Sequence, residues 1–176
     1  KRPVARAPLI IIGTLRPHDG CFDYCESQAE RINLGRRYIG KRVILLDGSD
    51  RNEVLKALKS SDIFAFLSNI EASPLALFEA AAAQLPFVAS AAGNSAEIAR
   101  WLGNGIIVKG HPRPNGRVEA DYKDSLLKLS KLAHSRERQK SLGVTGYTNW
   151  KKKYTWEKLG EAYLDLYARV LKDGKR

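Results

Sequence analysis

Short apolar runs alternate along the chain with amphipathic segments, and the runs show no period-2 polarity. Strands of a parallel sheet covered on both faces read this way, because helices on each side leave neither face to water. The pattern predicts strands over 9–13, 43–46, 63–68, 87–90 and 106–108. Helices fill the gaps. Phe22, Cys25, Ala29 and Ile32 form one apolar stripe, Asp50 with Glu53 caps a helix running to Lys59, and Asn94 or Ser95 opens a short helix ending near Trp101. Pro74 can only open a helix, which puts Ser73 at the expected N-cap. The segment 109–120, with Pro112, Pro114 and Gly116, reads as a loop, and 121–133, 135–150 and 154–171 read as a tail of three helices. In the last of these Trp156, Leu159, Tyr163, Leu166 and Val170 share one face, expected to anchor the helix on the core. The class is α/β, a doubly wound parallel sheet with a helical C-terminal tail, in a single domain over 1–176.

Ligands of an open parallel sheet sit beyond the carboxyl ends of its strands, which singles out the loops 14–18, 47–50, 69–75 and 91–95. Gly13 and Gly48 end their strands and permit close backbone approach, with Thr14 and Asp47 beside them. Asn94 stands in a glycine-bearing loop that opens a helix with free N–H groups. The segment SNIEASPLALFEAAAAQLP says most. Glu71 precedes its helix and Glu79 lies inside it, eight positions later. Between them, around Leu75 and Ala76, the helix N-terminus offers free N–H groups and partial positive charge, which suits a diphosphate. The carboxylates would accept hydroxyls. The ordinary alternative is a solvated Glu71 and a surface Glu79. Against it, Leu75, Ala76, Phe78, Ala80, Ala82 and Ala83 make the helix around Glu79 almost wholly apolar, where a carboxylate needs a partner.

The formal charge of +11 invites a nucleic-acid reading, so its distribution matters. Residues 1–42 carry nine basic and four acidic side chains and 136–176 eleven and five, whereas 43–135 carry ten of each. Lys151, Lys152 and Lys153 beside Trp150, Tyr154 and Trp156 resemble a patch for single-stranded nucleic acid. The helical spacing of the aromatics accounts for them without it, and nucleic acid is not the expected partner. No apolar run is long enough to cross a bilayer, and a start at Lys1 suggests a fragment. Cys21 and Cys25 have i, i+4 spacing, where a disulfide would be strained, so reduced thiols in a cytosolic protein are expected. With His18 they offer three metal ligands at irregular spacing and no fourth follows, so no metal is expected there.

Taken in order, the motifs L-I-I-I-G, V-I-L-L-D-G, N-E-V-L-K-A-L-K-S-S-D-I-F-A-F-L-S, E-A-S-P-L-A-L-F-E-A, L-P-F-V-A-S, G-N-S-A-E-I, G-I-I-V and Y-T-W-E-K-L cover nearly the whole chain. They resemble the C-terminal, donor-binding domain of retaining GT-B glycosyltransferases, a Rossmann-like fold. The resemblance implies that Glu71 lies at the catalytic position by the donor sugar hydroxyls and that Glu79 holds the ribose. Backbone N–H groups around Leu75 and Ala76 would hold the diphosphate, with Gly13, Thr14, Asp47, Gly48, Ser73 and Asn94 completing the donor site. It also implies a nucleotide diphosphate sugar as co-substrate, no cofactor and no metal. Preorganised N–H donors can stabilise the leaving diphosphate, and the chain has no Asp-x-Asp pair.

The chain departs from the family pattern in three ways. Ala72-Ser73-Pro74 replaces a glycine-aromatic-glycine turn, which removes one N–H. Gly13 aligns with the family's second strand, so the first βα unit, with the arginine and lysine that neutralise the diphosphate, is expected to be missing. So is the N-terminal domain that takes the acceptor, a glycan, a lipid or another small molecule. The fragment alone is expected to be inactive. Its expected place is the cytoplasm, or the inner face of a membrane through peripheral contact with anionic lipid. Two other readings are a catalytically silent scaffold of the same fold and a basic nucleic-acid-binding domain with steep salt dependence. A dinucleotide-dependent oxidoreductase fails early, because the first strand leads into G-T-L-R-P-H and not a Gly-x-Gly-x-x-Gly turn.

Overall fold

The computed structural model describes residues 7–13, 20–35 and 42–173, apart from the side chain of Cys21. The chain divides into two compact units, Lys1–Ser61 and Asp62–Arg176. In the first unit β1 (Leu9–Gly13), α1 (Gly20–Leu34), β2 (Val43–Asp47) and α2 (Arg51–Ser60) follow in order. The two strands pair in parallel, Leu9 opposite Val43 and Gly13 opposite Asp47. Asn33, near the end of α1, latches the start of β2. Its side-chain amide donates to the Val43 carbonyl at 2.9 Å and its Oδ1 accepts the Val43 N–H at 2.8 Å. Asp50 caps α2 as expected, accepting the N–H groups of Asn52 and Glu53, and the helix buries Val54, Ala57 and Leu58. Cys25 is half-buried. Thr14, His18 and the Cys21 side chain lie outside the described residues. Among the described residues no three His, Cys, Asp or Glu side chains gather as a metal site.

In the second unit β3 (Phe64–Phe66), α3 (Leu75–Ala82), β4 (Phe87–Ala89), α4 (Ser95–Leu102) and β5 (Gly105–Ile107) build a parallel sheet of order β3-β4-β5. Central β4 is buried along its whole length, as its unbroken Phe-Val-Ala run demands. Val88, Val108 and Leu132 form a buried cluster, with Ile63, Ile106, Ala120, Leu129 and Leu142 packed against it. The helices α5 (Tyr122–Ala133) and α6 (Arg136–Lys153) close this core. Gly143 lets α6 lie against the Gln84 carbonyl, and Asn149 donates to the Leu102 carbonyl at 2.9 Å.

Three expectations are corrected here. The segment 109–120 is no plain loop but a hairpin, β6 (Gly110–Pro112) antiparallel to β7 (Val118–Ala120). Asn115 and Gly116 both take positive φ at its tip, the pattern of a tight reversal. Ser73 does not cap α3. Pro74, extended at φ −71° and ψ 108°, holds the N-cap position without a side-chain bond, and Ser73 is exposed. The helix α7 (Trp156–Asp173) forms, but it is not anchored on a core. None of its residues is buried, and Trp156 is 77% exposed. Amphipathic spacing promises a face that packs without saying against what, and α5 and α6 already cover this unit's core. No described helix is long and apolar enough to cross a membrane.

Candidate functional site

The loop between β3 and α3 is tied down along its length. The Ser68 carbonyl accepts the Ser90 hydroxyl at 2.5 Å, the Asn69 carbonyl accepts the Val118 N–H at 2.8 Å, and the Ala72 carbonyl accepts the Asn94 N–H at 3.1 Å. Ser90 directly follows the buried strand β4 and is itself fully buried, so the first tie holds the loop to the centre of the sheet. The third rests on Gly93, whose φ is +56°. A Cβ there would stand 2.5 Å from the Ala72 carbonyl oxygen and 2.6 Å from that of Glu71. Only glycine lets the two loops meet this closely.

Glu71 therefore projects from a fixed backbone. It is half-buried, and among the described residues its carboxylate has no hydrogen-bond or ion-pair partner. Three residues on, α3 begins. The N–H groups of Leu75 and Ala76 have no intrahelical acceptor, whereas that of Leu77 already bonds the Pro74 carbonyl at 3.3 Å. Leu75 is 59% exposed and Ala76 half-buried, so those donors lie near the surface. Glu79, one turn further, is half-buried and is not a free carboxylate. Asn94 occupies the N-cap position of α4, yet its side chain makes no cap bond and its Oδ1 is buried without a donor among the described residues. A buried acceptor left unpaired costs roughly 1–3 kcal/mol, which a ligand hydroxyl or a water can repay. Ser95, the other candidate cap, is buried inside α4 with its hydroxyl on the Ala92 carbonyl at 2.7 Å.

The second unit thus sets Glu71, Asn94 and the first residues of α3, Leu75 and Ala76, on or beside two joined loops at the carboxyl ends of β3 and β4, with Ser73 exposed on one of them and Glu79 one turn further along α3. In the first unit Gly13, Asp47 and Gly48 meet at the carboxyl ends of β1 and β2. The Gly48 N–H bonds the Gly13 carbonyl at 2.9 Å, and Asp47 Oδ1 accepts the Ser49 N–H at 2.9 Å. The sequence reading missed the hairpin's tie to Asn69. The signal was present in Asn115-Gly116, followed by Val118 and Ala120 alternating with charged neighbours.

The sequence profile of "Glycosyl transferases group 1" matches residues 4–140. A "Probable sucrose-phosphate synthase" of Thermosipho melanesiensis is 26% identical over 159 residues, which are 90% of this chain and 33% of that protein. Among solved structures, a sucrose-phosphate synthase from Thermosynechococcus elongatus superposes with a TM-score of 0.68 at 20% identity, over 92% of this chain and 39% of its own. WaaG, a glycosyltransferase involved in lipopolysaccharide biosynthesis, gives 0.65 at 19% identity, over 88% and 36%. The chain spans about a third of the length of these relatives. The α/β architecture with parallel strands and a C-terminal helix is that of the GT-B glycosyltransferase fold. The chain belongs to the glycosyl transferases group 1 family.

Proposed function

We propose that this chain is the nucleotide-sugar-binding part of a retaining glycosyltransferase that works without a metal. The carrying observation is the junction at Gly93, which sets Glu71, the free N–H groups of α3 and the unpaired Asn94 Oδ1 on adjoining loops. The chemistry of that set is complementary to a sugar diphosphate. Acceptor-only groups meet sugar hydroxyls, and N–H donors at a helix N-terminus meet phosphate oxygens. In the transfer, the bond from the anomeric carbon to the diphosphate oxygen breaks and its electron pair leaves on the diphosphate. The acceptor oxygen bonds that carbon on the same face, and its proton departs with the leaving group. Charge grows on the diphosphate, and N–H donors already in position stabilise it without reorganising. Glu71 positions the donor sugar, and Glu79 takes the ribose. The acceptor is held by polypeptide outside this chain, in keeping with relatives about two and a half times as long.

Calorimetric titration of the chain with UDP, GDP and ADP and their sugar conjugates tests this reading. One nucleotide should bind selectively, and Glu79→Ala should weaken it by about tenfold, the worth of one charge-assisted hydrogen bond. Equal binding by the variant would refute the assignment of the ribose to Glu79.

A further inference from the structure

The loops assigned to a diphosphate hold no cation of their own. Between Lys59 and Arg100 the chain has neither lysine nor arginine, while Asp62, Glu71, Glu79 and Glu97 all fall in that stretch. A diphosphate brought beside two carboxylates needs more positive charge than one helix terminus supplies. Arg100 lies in the last turn of α4 with its Nε on the Ala96 carbonyl at 3.4 Å. The β6–β7 hairpin and its flank carry further basic residues of this unit.

The hairpin is joined to the site loop, since the Val118 N–H bonds the Asn69 carbonyl two residues before Glu71. Pro112 faces Val118 across the hairpin and has no N–H, and Val118 turns its own N–H outward to that loop. Val118 and Ala120 are half-buried on the inner face, Ala120 against the core cluster, while Arg117 and Glu119 are exposed on the outer one. Two of the neighbours of Arg117 on the hairpin are already paired. His111 pairs with Asp121 at 3.2 Å, Arg113 pairs with Glu119 at 2.5 Å, and Lys109 lies in the field of Asp124. Arg117 has no ion-pair partner among the described residues, and it is the one that adjoins the bond to Asn69. Its backbone is fixed on both sides, by its carbonyl accepting the Arg113 N–H at 2.9 Å and by the Val118–Asn69 bond.

We propose that Arg117 supplies the positive charge that a donor diphosphate requires at the α3 N-terminus, making the β6–β7 hairpin part of the donor site. This rests on the function proposed above and adds a residue to it. Arg117 directly precedes the residue whose N–H meets the Asn69 carbonyl, and an arginine reaches about 7 Å from its Cα. The guanidinium fork can therefore come over the loop and take two phosphate oxygens at once.

Calorimetry on the full chain decides the matter, using nucleoside diphosphates, the matching nucleosides and glucose 6-phosphate. Arg117→Ala should weaken the nucleoside diphosphate by about tenfold and leave the nucleoside unchanged. Arg117→Lys should recover part of the loss, and Arg113→Ala, whose guanidinium is already held by Glu119, should stay within about twofold of the parent. Unchanged diphosphate affinity in Arg117→Ala would overturn the inference and leave the function above standing. A loss confined to glucose 6-phosphate would overturn it too, because the cation would then serve a phosphate on another ligand. If the parent chain binds no nucleotide at all, the function proposed above falls and takes this inference with it.

Discussion

Two helices of the second unit make opposite use of their apolar residues. The eight residues of α3 bury Leu77, Ala80 and Ala81 completely, and the helix starts from a loop tied at Ser68, Asn69 and Ala72. The eighteen residues of α7 bury none, although Trp156, Tyr163, Leu166 and Val170 lie on one face. The difference shows where this unit spends its rigidity. The start of α3 is over-determined by its neighbours, as the proposed donor site would require, whereas α7 adds no buried residue to the unit.

The comparison breaks most severely at Gly93. Gly93→Val would place a β-branched residue at φ +56° against two carbonyls, at an expected cost of about 4 kcal/mol or more from backbone strain and overpacking. All three tryptophans, Trp101, Trp150 and Trp156, lie in this unit, so their fluorescence in a denaturant titration reports the loss directly. Next comes Leu77→Ala, which empties a fully buried position in α3 and should cost about 3 kcal/mol in the same titration. On the other side of the comparison, Tyr163→Ser combined with Leu166→Ser in α7 should change stability by no more than about 0.5 kcal/mol per site. A loss of several kcal/mol would mean that α7 packs on the unit's core in solution.

The smallest effect is one of pH. The Lys128 ammonium, bonded to Asp124 at 2.7 Å, holds that carboxyl below the ordinary carboxylate range, helped by the Lys109 N–H. Because the folded pKa is lowered, the contribution to stability is complete above the unfolded value of about 3.9 and is lost as pH falls through the folded one. Asp124→Asn should flatten the pH dependence of the unfolding midpoint below about pH 4 and leave it unchanged near neutrality.

The strands were legible in the sequence because a short apolar run without alternation, bounded by turn residues, suits a strand covered on both faces, and β1 occupies the residues that its run predicts. The Asp50 cap was legible for a local reason, since both acceptor and donors lie within three residues. Ser73 misled because an N-cap is decided by where helical dihedrals begin, and Pro74 stays extended for one residue more. The hairpin was hidden by its two prolines, which signal a loop more loudly than four alternating residues signal a strand. At the candidate site, sequence supplied Glu71, Glu79 and Asn94. It did not supply the bonds from Val118 and Asn94 that fix the loop, because those partners stand far apart in the chain and meet only through the sheet.

Amide chemical shifts of the labelled chain, followed while a nucleoside diphosphate is added, test most directly whether a donor site lies at the joined loops. The resonances of Leu75, Ala76, Gly93 and Asn94 should move first and furthest, with Glu79→Ala reducing the response. Saturable shifts confined to residues remote from these loops, or none at all, would contradict a donor site at the start of α3.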